Sequence, residues 1–209
     1  MIPTKRLRLS ERLKPATALA LAIFAFTLLV FLISHVHQVA DSSYSVMLSQ
    51  GLLDHGSFVL DSYALPRYDP TWHGYYFKNG PIYQLEVAGG HVYYHFPPGT
   101  SILSTPFVAV LNRFGVSAVN ADGTYNPLGE AMIEVGLAAL LMAILATVFF
   151  YTAMLLLPPR WSAVVALGGA LGTQVYSTAS RALWSDTWGI LFWGSGSICS
   201  SRTKCVSAG

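Results

Sequence analysis

Charge is what this chain has least of. Lysine, arginine, aspartate and glutamate make up 11% of its 209 residues, against about 25% in an average soluble domain. The shortfall sits in a few long uncharged blocks, a pattern that points to membrane spans rather than to one large water-soluble core. A net charge of +2 offers no basis for a nucleic-acid partner. Cysteine is nearly absent as well. Cys199 and Cys205 are the only two, and with no histidine beside them they match no zinc spacing and read as an incidental pair.

What the chain does have is a run of nineteen uncharged residues, Ala16 to Ser34, followed closely by Asp41, Ser42, Ser43 and Tyr44. At 1.5 Å per residue such a run is long enough for a hydrocarbon core of about 30 Å. It is longer than the apolar part of a signal peptide, and Gln38, Val39 and Ala40 make a poor cleavage site, so an uncleaved span is expected. Lys5, Arg6, Arg8, Arg12 and Lys14 precede it, and no further Lys or Arg occurs before Arg67. That asymmetry predicts a cytoplasmic N-terminus and an extracytoplasmic segment after the span.

The expected layout is a cytoplasmic N-terminus over 1–14, a first span over 15–36 and an extracytoplasmic loop over 37–130. A second span over 131–157, a third over 161–180 and a partial fourth over 182–198 follow, with a polar tail at 199–209. Gly168, Gly169 and Gly172 in the third have the small-residue spacing that lets helices approach closely. The fourth loses its apolar character after Trp193, and a truncated or frame-shifted chain is expected there.

Within the loop, Tyr44, Met47, Leu48 and Leu52 recur at helical spacing opposite Ser43, Ser45, Ser49, Gln50 and Asp54. They predict an amphipathic helix over about 42–55, lying near the membrane surface and stopped by Gly56. Two β-rich runs around Gly89 and Gly90 predict a hairpin over about 82–96. The apolar stretch at about 100–114 is too short to span and is expected at the interface, with Pro106 a point for a kink.

Several charged or aromatic positions stand out beside the spans. Asp41 is either the N-cap of the helix after it or a carboxylate with chemistry to do. Arg181 falls where its side chain can snorkel to the interface. Tyr44 falls where an interfacial anchor would. Glu130 and Glu134, four apart at the start of the second span, either favour the dipole of their own helix or, in the case of Glu134, face a polar cavity. His35, His37, His91 and His95 bring no third partner that would define a zinc site, so no metal or other cofactor is expected.

In order, these elements resemble the GT-C membrane glycosyltransferases, in particular the family 39 group of protein mannosyltransferases and the lipid A aminoarabinose transferase. The residues that carry the resemblance are the first span, then Asp41 and Tyr44 running into Leu52 and Gly56. Tyr93 to Gly99 before an apolar stretch ending at Phe114 and Gly115 comes next, and Gly172 to Trp184 last. Two departures stand out: Ser42 follows Asp41 where many relatives pair acidic residues, and Phe96 precedes Pro97 and Pro98 where a lysine is usual.

The resemblance implies the N-terminal part of such a fold: an all-α polytopic membrane protein whose extracytoplasmic loop carries juxtamembrane helices and a small β-hairpin. It implies transfer of a sugar from a polyprenyl-phosphate donor to an extracytoplasmic acceptor at a bacterial inner membrane. Asp41 would be the base, and Tyr44, Lys78, Arg181 and Trp184 the substrate contacts. The partners would be membrane lipid and the lipid-linked sugar, with the acceptor open and the present chain inactive by itself. Two other readings stand beside it: a non-enzymatic polytopic membrane protein with a partner-binding periplasmic loop, and an inactive fragment.

Overall fold

The computed structural model describes residues 9–34, 41–65, 68–69, 74–77 and 80–207. It is mostly helical and forms two compact units. One contains helix α1 (Leu9–Ile33), the later part of α4 (Pro127–Ala153), α5 (Pro159–Leu171) and most of α6 (Ser185–Ser207). The other contains α2 (Ser45–His55), five short strands, α3 (Gly99–Asn112), α4 up to Ala138, and the segment Arg181–Trp188.

In the first unit, α1 is apolar on every side over Ala16–Ile33. Ala16, Ala20, Ile23, Thr27 and Phe31 form its buried stripe, at the spacing that keeps one helix face inward. Thr27 satisfies its hydroxyl on the Ile23 carbonyl at 2.8 Å. The rest of the helix exposes large apolar side chains, Leu21 at 63% and Phe26 at 50% among them. Water tolerates such a stripe poorly, whereas lipid does not penalise it. Helix α5 packs on α1 and buries the small side chains Ser162, Ala166 and Ala170. At Gly169 the ring of Phe149 comes so near that a Cβ would stand 3.0 Å from its Cδ2.

Among the described residues two helices are long and apolar enough to cross a membrane, Ala16–Ile33 within α1 and the whole of α4. The stretch 161–180 is not one continuous span. Helix α5 has 13 residues, about 20 Å of rise and short of a bilayer core. It stops at Gly172, whose N–H reaches the Gly168 carbonyl, and the chain then makes a π-helical turn over Val175–Ala179. The last segment also departs from expectation. Helix α6 starts at Ser185 rather than near 182 and continues to Ser207, so most of the stretch read as a polar tail is helical.

In the second unit, strands β1 (Tyr68–Asp69), β2 (Gly74–Phe77) and β3 (Gly80–Ile82) form one antiparallel sheet. Strands β4 (Leu85–Ala88) and β5 (His91–Tyr94) form a hairpin in which Leu85 faces Tyr94 and Ala88 faces His91. Its two-residue turn places both Gly89 and Gly90 at positive φ, 60° and 86°, the combination that a tight hairpin favours and that side chains resist. Leu60 donates its N–H to the Val92 carbonyl, joining the hairpin to the segment after α2.

Helix α2 does not lie on a surface with its polar face outward. Seven consecutive residues, Ser45 to Gly51, are buried, because α3 packs on it through small hydroxyl side chains. Ser49 donates to the Ser101 carbonyl at 2.9 Å, and Ser101 donates to the Ser45 carbonyl at 2.7 Å. Asn112 of α3 donates to the Gln50 Oε1, while Gln50 Nε2 donates to both Asp54 oxygens. The serines counted as the wet side of an amphipathic helix are therefore its helix-packing face. Gly56, left-handed at φ 61°, ends α2 as the sequence predicts.

Candidate functional site

Helix α4 begins on an Asn-Pro pair. Asn126 Oδ1 accepts the Gly129 N–H at 3.1 Å and Pro127 occupies the first helical position, so the helix start is locally encoded. Asn126 also donates to the Ser117 carbonyl at 3.0 Å. A Cβ at Gly129 would fall 1.9 Å from that carbonyl oxygen, so the position requires glycine. This tight start fixes where the next turns of α4 point their side chains.

Those turns carry Glu130 and Glu134, both 0% exposed. Glu130 Oε1 accepts the N–H groups of Val46 and Met47 at 2.9 and 3.2 Å. Its Oε2 accepts the Tyr44 N–H at 2.9 Å and the Tyr125 hydroxyl. Glu134 accepts the hydroxyls of Ser42 and Ser45 at 3.0 and 3.3 Å. The free N–H groups at the start of α2 are thus satisfied by a carboxylate from a helix more than eighty residues away. The favourable dipole contact that a helix N-terminus offers an acidic group is made with α2 as well as with α4.

Asp41 does not cap α2. Tyr44 occupies the cap position without a side-chain cap bond, at φ 72°, and is the only non-glycine at positive φ among the described residues. For a bulky side chain this left-handed conformation is strained, by roughly 1–3 kcal/mol, and persists only where surrounding contacts enforce it. The Tyr44 ring is 3% exposed and stacked on Tyr125 at 4.5 Å. Tyr44 therefore makes no contribution to an open binding surface, which corrects its reading as a sugar contact. Burial and then the Glu130 charge push the hydroxyls of Tyr44 and Tyr125 well above the ordinary phenol value, so both remain neutral donors.

With its cap role taken by Glu130, Asp41 faces a cleft of about 180 Å³. Asp41 and Ser42 form one side, Tyr94, Phe96, Pro97 and Thr100 another, and Leu183, Trp184 and Ser185 close it. Tyr83 donates its hydroxyl to Asp41 Oδ1 at 2.5 Å, and Tyr94 donates to the Asp41 backbone carbonyl at 3.1 Å. The Asp41 hydrogen bond, with burial a smaller cause, raises the Tyr83 hydroxyl above the ordinary phenol value. Burial, then the charges of Glu134, Glu130 and Asp41, does the same for Tyr94. Phe96 meets both rings, Tyr94 at 5.7 Å and Tyr83 edge-on at 6.3 Å. Phe96 makes this wall aromatic.

The structure thus brings together Asp41 and Trp184, which are far apart in sequence, in one cleft. Trp184 Nε1 is buried with no hydrogen-bond partner. Arg181, half-buried and in the same segment as Trp184, is not among the residues lining the cleft. Lys78 and Arg67 lie outside the described residues for side-chain purposes. Sequence reasoning missed Tyr83, which carries no pattern of its own. It also missed the destination of Glu130, for which a signal existed: an acidic pair at one helical face leading into an apolar run.

Elsewhere in this unit, His91 Nδ1 lies 2.5 Å from Asp61 Oδ2, and Asp61 Oδ1 accepts the Val92 N–H at 2.7 Å. His95 pairs with Glu86 at 3.0 Å. Both histidines are exposed partners of single carboxylates. Among the described residues no three of His, Cys, Asp and Glu gather as metal ligands would. Comparison with protein-family profiles, curated proteins and solved structures finds no match.

Proposed function

We propose that the Asp41 cleft is the acceptor site of a membrane glycosyltransferase that uses a polyprenyl-phosphate sugar. In this reading α1 and α4 cross a bacterial inner membrane, the N-terminus is cytoplasmic, and the cleft opens on the extracytoplasmic side. One observation carries it: a carboxylate held by a tyrosine hydroxyl stands opposite aromatic side chains, Tyr94, Phe96 and Trp184, in one small cleft. Aromatic faces suit the C–H faces of a sugar ring, and a carboxylate suits its hydroxyls. The cleft is below the roughly 300–1,000 Å³ of a drug-sized ligand site. A single ring fits that size, while the lipid chain of a donor requires further surface.

In the reaction, Asp41 takes the proton from an acceptor hydroxyl as that oxygen bonds to the anomeric carbon. The bond from that carbon to the phosphate oxygen breaks, and the lipid phosphate leaves with the electron pair. Arg181, in the segment that supplies Leu183 and Trp184, is the cation proposed to offset the leaving charge. The test is Asp41→Asn introduced in the full-length gene and assayed in membranes, because this chain by itself is expected to be inactive, with radiolabelled polyprenyl-phosphate sugars as donors. Transfer is expected to fall by about 10²–10⁴-fold with membrane insertion unchanged. Transfer at the parent rate would remove Asp41 as the base.

A further inference from the structure

We propose that Glu130 and Glu134 are positioning residues that set the direction of the Asp41 side chain, an inference that rests on Asp41 acting in the cleft. The segment from Asp41 to Met47 is held by these two carboxylates at five points. Ser42 and Ser45 hydroxyls go to Glu134, while the Tyr44, Val46 and Met47 N–H groups go to Glu130. Tyr94 fixes the Asp41 carbonyl from the opposite side. Tyr44 lies at the centre of this segment in its left-handed conformation. Relaxing that residue rotates the peptide planes before it and turns Asp41 away from the cleft. The two carboxylates therefore act on Asp41 through the backbone, without lining the cleft themselves.

The donors on the two glutamates differ in kind, and that difference makes the proposal testable. Serine hydroxyls both donate and accept, so they can turn to suit an amide; backbone N–H groups only donate. The amide introduced by Glu134→Gln can therefore stand in for the carboxylate once Ser42 or Ser45 reorients. The amide introduced by Glu130→Gln cannot. If its oxygen faces Val46 and Met47, its NH₂ faces the Tyr44 N–H; the opposite flip sets NH₂ against Val46 and Met47. Either way a buried backbone donor is left unpaired.

The experiment uses the whole chain in lipid nanodiscs, with Cys199 and Cys205 replaced by serine and a nitroxide attached through Asp41→Cys. Its spectrum reports the mobility of the turn and requires no turnover. Glu134→Gln is expected to retain the parent's immobilised spectrum. Glu130→Gln is expected to add a mobile component with a correlation time several-fold shorter. Tyr125→Phe, which removes one donor and no carboxylate, should give a smaller shift in the same direction. Thermal midpoints measured alongside separate loosening of the turn from loss of the fold.

If Glu130→Gln does not fold, Tyr125→Phe decides alone, and an unchanged spectrum for it overturns the proposal. Equal disruption by the two Glu→Gln variants overturns it too. Mobilisation as expected, together with full transfer by Asp41→Asn, would sink the transferase reading and leave the control of the turn standing.

Discussion

Helix α1 and the first turns of α4 are both deprived of water on at least one side, and they meet that condition in opposite ways. Over Ala16–Ile33, α1 carries no charge and satisfies its polar atoms within itself, down to the Thr27 hydroxyl on its own backbone. Its exposed apolar face asks only for a dry neighbour, and a lipid tail would serve as well as a leucine. The start of α4 instead buries two carboxylates that need polar partners. Most come from the start of α2: the Tyr44, Val46 and Met47 N–H groups and the Ser42 and Ser45 hydroxyls, with the nearby Tyr125 hydroxyl completing the set. An apolar helix can be placed anywhere dry, whereas a buried polar one specifies its partner. The candidate site is built on the second kind.

Three perturbations sharpen this contrast. The largest effect is expected on α1. Phe26→Lys, on an exposed face near the middle of the apolar run, should cost about 3 kcal/mol of membrane insertion, read as the inserted fraction in an in vitro translocation assay. If the face meets water, the same change should raise solubility and leave stability within about 0.5 kcal/mol; that outcome would refute a lipid-facing α1.

Next comes Tyr44→Gly. Glycine removes the left-handed strain, worth about 1–2 kcal/mol, but deletes a buried ring whose loss costs about 3–5 kcal/mol. A net destabilisation of about 2 kcal/mol is expected from thermal or denaturant unfolding in detergent. A stabilised variant would show that strain, rather than the stack on Tyr125, dominates at this position.

The smallest effect belongs to the exposed carboxylate of Asp61. Burial pushes its pKa up slightly, but the His91 hydrogen bond and the Val92 N–H outweigh it and lower it below the usual 3.8. A lowered folded-state value means the stabilisation is present above 3.8 and is lost as pH falls through the lowered value. Acidification should therefore release the Val92 amide below pH 3.8, read as faster hydrogen exchange of that amide relative to the backbone-paired amides of β4 and β5. An unchanged relative rate would show that the Asp61 hydrogen bond does not protect it.

Much of the fold was legible residue by residue. The uncharged run gave a helix over Ala16–Ile33, Gly56 gave the end of α2, and Gly89 with Gly90 gave the turn between β4 and β5. Each is a short-range effect of side-chain polarity or of φ preference. The reading failed where a local pattern had two uses. Serines at helical spacing look the same whether they meet water or the backbone of α3. The less apolar, glycine-rich stretch at 161–180 reads as a span, and its composition does not reveal that α5 ends after 13 residues.

The site divides in the same way. Sequence alone marked Asp41 as a carboxylate beside an apolar run, and marked Glu130 and Glu134 as acidic residues one turn apart, because charge near long uncharged blocks is visible without a fold. Only the tertiary structure decided that Glu130 caps α2, that Tyr44 is buried at positive φ, that Tyr83 binds Asp41, and that Phe96 and Trp184 share a cleft with it. Those facts depend on hydrogen bonds and ring contacts between residues forty to a hundred and forty positions apart. Such pairings leave no periodicity in the chain, since they are chosen by which donors remain unsatisfied once the helices have packed.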